Sequence, residues 1–272
     1  MSLFTASLNS GSNGNCYYVG NDKEAVLIDV GISCRELEKR MKRLELDLKK
    51  VKAIFISHEH TDHISGLEVT SKKHRLPVYI TPPTLQNSRL RLEESLVYSF
   101  VPYKPVLKGQ LEITAFPKHH DAADPYSFVV GYNGIKTGIF TDIGHNCKDV
   151  IRNFKQCHAV FLEANYDEEM LEASSYPIYL KKRIRSERGH LSNDQSLELF
   201  IKHKPAFMSH VFLSHLSKNN NDPDLVHQLF SKHKGKTQII VASRYQESEV
   251  YQILNDKNTQ KPRSPGRQTS LF

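Results

Sequence analysis

Histidine and aspartate side chains cluster in one short stretch in the first quarter of the chain. Residues 57–63 read Ser-His-Glu-His-Thr-Asp-His, and the potential metal ligands among them are His58, His60, Asp62 and His63. Imidazole and carboxylate together suit zinc, manganese or iron rather than calcium. In an extended segment alternate residues point the same way, so His58 and His60 can close on one ion, while Asp62 and His63 can serve a second. The alternative is a polar surface loop that happens to be rich in histidine.

Strands must position this segment and the residues that complete it. Residues 51–56 (Val-Lys-Ala-Ile-Phe-Ile) predict a buried strand, because β-branched and aromatic residues fit a pleated, packed surface. The histidine-rich segment therefore follows the carboxyl end of a strand, where α/β proteins usually carry their sites. A third strand ends at Asp29, and we expect this carboxylate to orient a histidine ligand rather than to bind metal itself.

Three further strand ends carry possible ligands. An alternating strand leads into His119 and His120, of which we favour His120 as the ligand, with His119 as the alternative. Asn133-Gly134 predicts a hairpin whose second strand ends at Asp142. Asp142 could bridge two metals, although it could also cap the next helix. His215 follows another buried strand and is a reasonable last ligand.

Two segments could contact an anion. His190 lies just ahead of Ser192 and Gln195, which have capping-box spacing, so it stands near a helix N-terminus that favours anions. It could touch a phosphate oxygen or a leaving group, or be structural. The turn at residues 9–15 is dense in glycine, serine and asparagine, and it could approach a phosphate or be a plain hairpin turn.

These motifs together resemble the metallo-β-lactamase-fold hydrolases. The resemblance rests on Leu-Ile-Asp-Val-Gly at 27–31, the His-x-His-x-Asp-His segment, His120, Asp142 and His215. Within that superfamily the Ser-Gly-Ser-Asn-Gly-Asn, His-Asp-Ala-Ala-Asp-Pro, Gly-His-Leu-Ser-Asn and Leu-Ser-His-Leu-Ser motifs are similar to the YycJ/WalJ branch of bacterial exonucleases. The implied fold is an α/β four-layer αββα sandwich. The sequence shows neither room for a β-CASP insertion nor the long arm of ribonuclease Z.

The resemblance also implies roles for individual residues. It assigns His58, His60 and His120 to one divalent ion, Asp62, His63 and His215 to a second, and Asp142 to a position between them. The ions would be zinc or manganese, with iron possible, and a metal-bridging hydroxide would attack phosphorus. The implied catalytic residues are Asp62, Asp142 and His190.

Composition and charge set the remaining expectations. The 272 residues carry a formal charge of +7, which favours a polyanionic partner such as DNA. We expect a basic segment, together with the start of the helix after it, to contact the backbone phosphates of DNA. The residues are Lys181, Lys182, Arg183, Arg185, Ser192 and Asn193. The four scattered cysteines read as reduced thiols, and the sequence shows neither a signal peptide nor a membrane span, so we expect a cytoplasmic protein.

The chain divides by composition into a catalytic domain at 1–254 and a tail at 255–272. The tail lacks an apolar pattern and is expected to be disordered. It ends in Gln-Thr-Ser-Leu-Phe, so Gln268, Leu271 and Phe272 resemble the motif that binds the bacterial sliding clamp. The leading hypothesis is a DNA exonuclease in DNA mismatch repair. The alternatives are a glyoxalase-II-like thioesterase or lactonase of the same fold, and a non-catalytic, metal-stabilised DNA-binding regulatory module.

Overall fold

The computed structural model of the protein describes residues 2–255. Within that range two seven-stranded sheets pack face to face, and helices cover the outer face of each sheet. This is the predicted four-layer αββα sandwich, and the fold prediction is confirmed. The predicted clamp-binding residues Gln268, Leu271 and Phe272 lie outside the described residues.

The first sheet has the order β14-β1-β2-β3-β4-β5-β6. Neighbours from β14 to β3 pair antiparallel, and neighbours from β3 to β6 pair parallel. The strands are β1 Leu3–Asn9, β2 Cys16–Gly20, β3 Ala25–Ile28, β4 Val51–Phe55, β5 Val78–Tyr79, β6 Val97–Tyr98 and β14 Tyr251–Ile253.

The second sheet repeats this layout in the order β13-β12-β11-β10-β9-β8-β7. Its pairs are antiparallel from β7 to β10 and parallel from β10 to β13. The strands are β7 Val106–Lys108, β8 Leu111–Pro117, β9 Tyr126–Tyr132, β10 Ile135–Phe140, β11 Ala159–Glu163, β12 His210–Ser214 and β13 Gln238–Val241.

Helices fill the outer layers, and several of them present an apolar stripe to a sheet. Leu37 and Met41 of α1 and Leu67 of α3 pack on the first sheet, whereas Phe154 of α5 and Phe200 of α8 pack on the second. The helices are α1 Cys34–Arg43, α2 Thr61–Ile64, α3 Leu67–His74, α4 Pro82–Ser88, α5 Lys148–Phe154, α6 Glu168–Ala173, α7 Ile178–Arg185, α8 Asn193–His203 and α9 Pro223–Ser231.

Aromatic side chains fill the space between the two sheets. The ring of Phe161 stacks on Phe212 at 4.5 Å between centroids and meets Tyr17 of the opposite sheet at 4.8 Å. Phe55 and Phe128 continue this layer across the interface. Because aromatic rings bury the most apolar area per residue, this layer fixes how the sheets face each other.

Local signals in the sequence agree with the structure at several points. The hairpin between β9 and β10 turns at Asn133 and Gly134, whose φ angles of 49° and 80° fit the two-residue turn predicted there. Ser192 and Gln195 form the complete capping box at the start of α8. Asp62 and His63 lie in the short helix α2. The basic segment likewise lies in a helix, α7.

The four cysteines are all free in the described structure, as the sequence predicts. Cys16, Cys34 and Cys157 are buried and Cys147 is partly buried. Among residues 2–255 no helix has the length and apolar character needed to cross a membrane.

Replacing Phe161 by alanine should strongly destabilise the fold. The side chain is fully buried between the sheets, so its loss leaves a cavity and we expect a cost of about 3–5 kcal/mol in the free energy of unfolding. Urea denaturation measures this cost. The control is Leu107→Ala on β7, whose side chain is 64 % exposed and whose loss should cost no more than about 0.5 kcal/mol. Equal costs for the two variants would contradict this description of the core.

Candidate metal centre

Side chains from both sheets converge where the parallel strands end. Asp29 follows β3, the histidine-rich segment follows β4, Asp142 follows β10, Glu163 ends β11 and His215 follows β12. Carboxyl ends of parallel strands meet at one edge of a sheet, and here the two such edges face each other.

The first group of ligand atoms belongs to His58, His60 and His120. Nδ1 of His60 lies 3.1 Å from Nε2 of His58 and 3.3 Å from Nε2 of His120. Nδ1–H of His120 donates to the carbonyl of Gly189 at 3.0 Å, and that of His58 donates to the Ser57 hydroxyl at 2.9 Å. These partners fix the tautomers, so both Nε2 atoms turn lone pairs towards the same point.

The second group consists of Asp62, His63 and His215. Oδ2 of Asp62 lies 3.3 Å from Nε2 of His215 and 3.4 Å from Nε2 of His63. Nδ1–H of His63 donates to Oδ2 of Asp29 at 2.7 Å, and Asp29 also accepts from the amide and hydroxyl of Ser57. Asp29 therefore holds the ring of His63 and, through Ser57, that of His58.

Asp142 stands between the two groups. Its Oδ2 lies 3.1 Å from Nε2 of His63, and its Oδ1 lies 3.6 Å from Nε2 of His215 and 3.8 Å from Nε2 of His120. The side chain is buried, and Oδ2 has no hydrogen bond of good geometry among the described residues. A buried carboxylate oxygen without a donor is costly, and converging imidazole lone pairs repel each other. The donor set thus fits two divalent cations.

Buried charge shifts the pKa values of these groups. Burial would raise the pKa of Asp142, but the charges of His215 and His63 outweigh it and hold that pKa well below its usual range. Burial would lower the pKa of His215, but Asp142, Asp62 and Glu163 raise it to about 10. The charged carboxylates of Asp142, Asp62 and Glu163 are therefore stable only with positive charge nearby. Protons on His63 and His215 supply it in the protein alone, and metal ions can supply it instead.

His120 and His58 show the opposite behaviour. Burial lowers the pKa of His120 to about 3 and takes the pKa of His58 well below its usual range. Both rings are thus neutral at physiological pH, which is the form that binds metals.

Glu163 is a site residue that the sequence analysis did not identify. Its Oε1 accepts from Nδ1–H of His190 at 2.7 Å and from Nδ1–H of His215 at 3.2 Å, and its Oε2 accepts from the amides of Ile143 and Leu191. Burial would raise its pKa, yet His190 and His215 lower it to about 2. Its position at the end of a buried strand, like that of Asp29, was the available signal.

Asn15 is a second residue whose contact with the site was not predicted. Its side-chain amide lies 3.0 Å from Oδ2 of Asp62 and 3.1 Å from Nε2 of His63. The turn at residues 9–15 thus reaches the second group of ligands. Ser10 of the same turn accepts the amide of His215 at 2.8 Å.

The two adjacent histidines after β8 have different surroundings. His120 belongs to the first group, whereas the ring of His119 packs against His145 at 4.4 Å between centroids. The carbonyl of His119 accepts from Gly144 at 2.7 Å, which ties this segment to the loop after Asp142.

A cavity of about 210 Å³ opens beside His190 and His215. We call it the first cavity; its other lining residues include Ser12, Asp121, Tyr176, Arg183 and Ser217. The ring of His190 is partly exposed there and lies beside the rings of His120 and His215. A molecule in the first cavity would contact His190 next to both groups of ligands.

Two of the predicted nucleic-acid contacts, Ser192 and Asn193, are not exposed at the surface. Ser192 and Asn193 are buried: the Ser192 hydroxyl accepts the amide of Gln195, and the Asn193 side chain bonds to Asn221. Their polar groups are used within the fold, which leaves them few free donors or acceptors for a nucleic acid. The capping box that placed them near His190 is the physical reason.

The cations of α7 are mostly paired with acids or carbonyls. Arg183 binds Asp121, Arg185 binds Glu168 and Glu172, and Nζ of Lys181 donates to the carbonyl of Glu172. Lys182 is exposed on the same helix. The helix therefore offers a phosphate less free positive charge than its sequence suggests.

The sequence is similar to a known protein family and to two bacterial exodeoxyribonucleases. A model of the metallo-beta-lactamase superfamily matches residues 10–154. The chain is 33 % identical over 237 residues to exodeoxyribonuclease YycJ of Bacillus anthracis, a match that covers 85 % of this chain and 89 % of the relative. It is 31 % identical over 225 residues to exodeoxyribonuclease WalJ of Streptococcus pneumoniae, with 81 % and 84 % covered.

Solved structures show the same fold at low identity. The metallo-beta-lactamase fold protein YhfI from Bacillus subtilis superimposes with a TM-score of 0.71 at 14 % identity, covering 93 % of this chain and 100 % of that one. A diphosphatase of the PhnP family gives a TM-score of 0.64 at 17 % identity, covering 93 % and 98 %. At these identities the likeness concerns the fold alone.

Adjacent histidines provide a matched test of the metal centre. Replacing His120 by alanine removes a buried nitrogen from the first group, so we expect the bound metal to fall from two equivalents towards one. His119→Ala should keep both, because its ring lies against His145 and outside the group. Metal analysis after dialysis against a fixed free zinc or manganese concentration measures the difference. Equal metal content in the two variants would overturn the assignment.

Proposed function

We propose that this chain is an exonuclease that removes nucleotides from DNA ends. The chain belongs to the metallo-beta-lactamase superfamily and its YycJ/WalJ branch, and it is a metal-dependent hydrolase. The observation that carries the proposal is the meeting of seven potential ligands beside an open cavity. The similarity to the exodeoxyribonucleases YycJ and WalJ supports the choice of DNA. The +7 formal charge also favours a polyanionic substrate.

The ligands divide between two ions according to the two groups. His58, His60 and His120 would hold one ion, Asp62, His63 and His215 the other, and Asp142 would share its oxygens between them. This mixture of nitrogen and carboxylate donors suits zinc or manganese, and iron also fits. A bound metal pair lowers the pKa of water to near neutrality and offsets charge on phosphoryl oxygens.

The chain's own residues then orient the substrate and move protons. His190 donates Nδ1–H to Glu163, so a second proton on Nε2 would let the ring donate to a phosphoryl oxygen or to the leaving oxygen of a diester in the first cavity. Asp62 has a partly exposed side chain, while Asp142 and Glu163 are buried. Asp62 is therefore the carboxylate of the site that solvent can reach.

The tail provides the proposed link to DNA repair. In this proposal residues 1–254 form the catalytic domain and residues 255–272 carry the docking motif. Gln268, Leu271 and Phe272 would bind the bacterial sliding clamp, with Leu271 and Phe272 as apolar anchors in its groove. Such tethering raises the effective concentration of the enzyme at DNA ends during mismatch repair.

End-labelled duplex and single-stranded DNA test the proposed activity directly. With manganese the wild-type protein should release nucleotides from the ends, and His58→Ala should lower kcat by at least about 100-fold, because a lost ligand removes one ion from the reaction. A parallel thioester assay separates the alternatives. Thioester turnover without nucleotide release would favour the small-molecule hydrolase. A His58→Ala protein that is destabilised but otherwise performs as wild type would favour the non-catalytic module.

Replacing both Leu271 and Phe272 by alanine tests the tail. We expect binding to the purified clamp to fall at least about 100-fold, because loss of two buried apolar side chains at an interface removes most of the affinity of a short peptide. Activity on free DNA ends should stay within about twofold of wild type. The matched control is Thr269→Ala with Ser270→Ala, which keeps the apolar anchors. Undiminished clamp binding by the Leu271 and Phe272 variant would refute the docking role.

A further inference from the structure

The positive charge available to a long nucleic acid lies away from the predicted basic helix. Arg183 and Arg185 of α7 are engaged with acids, as described above. On the other side of His215, Arg244 and Lys218 border a second cavity, and neither has a carboxylate within 4 Å among the described residues. The second cavity has a volume of about 340 Å³ and is also lined by Tyr245.

The second cavity adjoins the first cavity beside the proposed metal centre. Ser217 lines both cavities, and Ser10, which lines the second, accepts the amide of the ligand residue His215 at 2.8 Å. The segment after His215 is fixed by Asn165, whose side chain donates to the carbonyl of His215 at 2.8 Å and whose carbonyl accepts the amide of Ser217 at 2.8 Å. The floor shared by the two cavities is thus rigidly attached to a metal ligand.

Arg244 lies at the rim between the cavities. Its Nη2 donates to the Ser12 hydroxyl at 3.3 Å, and its carbonyl accepts from the side chain of Asn13 at 2.8 Å. Nη1 is shielded from solvent and has no hydrogen-bond partner among residues 2–255. Arg244 also lines the second cavity, so its positive charge favours an anionic oxygen there. Gly11 permits this packing, because a Cβ there would lie 3.1 Å from Cβ of Arg244.

Tyr245 adds an aromatic surface next to that charge. Its ring is 70 % exposed, and Cζ of Arg244 lies 6.0 Å from its centroid. An exposed aromatic ring beside a cation is the usual platform on which single-stranded nucleic acids stack a base. Asp222 also lines the cavity, but its Oδ1 accepts the amides of Asp224 and Leu225 at the start of α9. Its charge disfavours a phosphate at that corner and leaves the Arg244 side for one.

We propose that the second cavity binds the nucleotide that neighbours the scissile diester along the DNA strand. The phosphate of this nucleotide lies between Arg244 and Lys218, and its base stacks on Tyr245. The turn at residues 9–15 separates this subsite from the metal centre, and Ser12 reaches both sides. This inference rests on the proposed nuclease function and deepens it, because the subsite makes the enzyme prefer a polynucleotide to a small phosphodiester.

Arg244→Ala and Tyr245→Ala test the subsite in the manganese-loaded, full-length protein. We compare kcat/KM on a single-stranded oligonucleotide with kcat/KM on bis(p-nitrophenyl) phosphate, which has a single phosphate and no nucleobase. Each variant should lower the ratio of the two values about tenfold, since a charge-assisted hydrogen bond or a stacked base is lost. Arg244→Ala should also reduce the slope of log kcat/KM against log salt by about 0.7, the loss of one phosphate contact.

Conservative and remote variants control for charge and folding. Tyr245→Phe keeps the stacking surface and should keep the wild-type ratio. Arg152→Ala with Tyr103→Ala removes another neighbouring Arg–Tyr pair, whose members line neither cavity, and should keep the ratio although the net charge changes equally. Metal content shows that each variant retains the folded site.

Three results would contradict the subsite. If Arg244→Ala and Tyr245→Ala keep the wild-type ratio while the wild-type protein degrades DNA, the subsite is refuted and the nuclease function stands. If they lower activity on both substrates equally, the two residues are structural and the subsite is again refuted. If the wild-type protein cleaves the small diester but no DNA, the nuclease function fails and the subsite with it.

Discussion

Buried negative charge is the constraint around which the rest of the molecule is arranged. Asp29, Asp142 and Glu163 are fully or almost fully buried, and the partly exposed Asp62 lies beside His63 and His215. An uncompensated buried carboxylate costs several kcal/mol, so each must face a donor or a cation. Strand ends from both sheets deliver histidines to these acids, and the buried Lys118 adds a further positive group there, with a pKa lowered by burial. The same arrangement that satisfies the acids in the protein alone suits a pair of metal ions.

The backbone accepts strain to bring these groups together. Asp29, Asp142 and His215 have φ angles of 60°, 55° and 57°, and each follows directly or almost directly on a parallel strand. The left-handed region costs a residue with a side chain about 1–3 kcal/mol unless the surroundings enforce it. Here they do, because the amide of Asp29 donates to Phe55 and that of His215 donates to Ser10. The sharp change of direction turns each side chain into the space between the sheets.

Much of this could be predicted from the sequence, because strand ends and ligand spacing are local signals. The free cysteines, the hairpin at Asn133 and the capping box at Ser192 follow from short-range patterns, whereas the αββα fold was implied by the resemblance to metallo-β-lactamase-fold hydrolases. Glu163 was missed because its partners His190 and His215 lie 27 and 52 residues further along the chain. The parallel pairing of β11 and β12 brings His215 to it, and the bridge between Tyr166 and Ser192 brings His190. Ser192 and Asn193 were predicted to contact a nucleic acid because a sequence does not reveal which polar groups are bonded within the fold.

The placement of the ligands also bears on whether the site is structural or catalytic. Ligands from both sheets mean that bound metal would tie the two halves of the sandwich together, so a stabilising effect is expected in either case.

What separates the two cases is access. A structural metal site closes its coordination shell with protein groups, whereas a catalytic one keeps a side open to substrate. Here the first cavity reaches His190 and His215, and its rim is a polar surface that includes Ser12 and Asp121. Glu163 holds His190 at that opening instead of leaving it as a further enclosing group. A purely structural metal site does not require an acid–histidine pair such as Glu163 and His190 at an opening to solvent. The presence of this pair therefore favours a catalytic role.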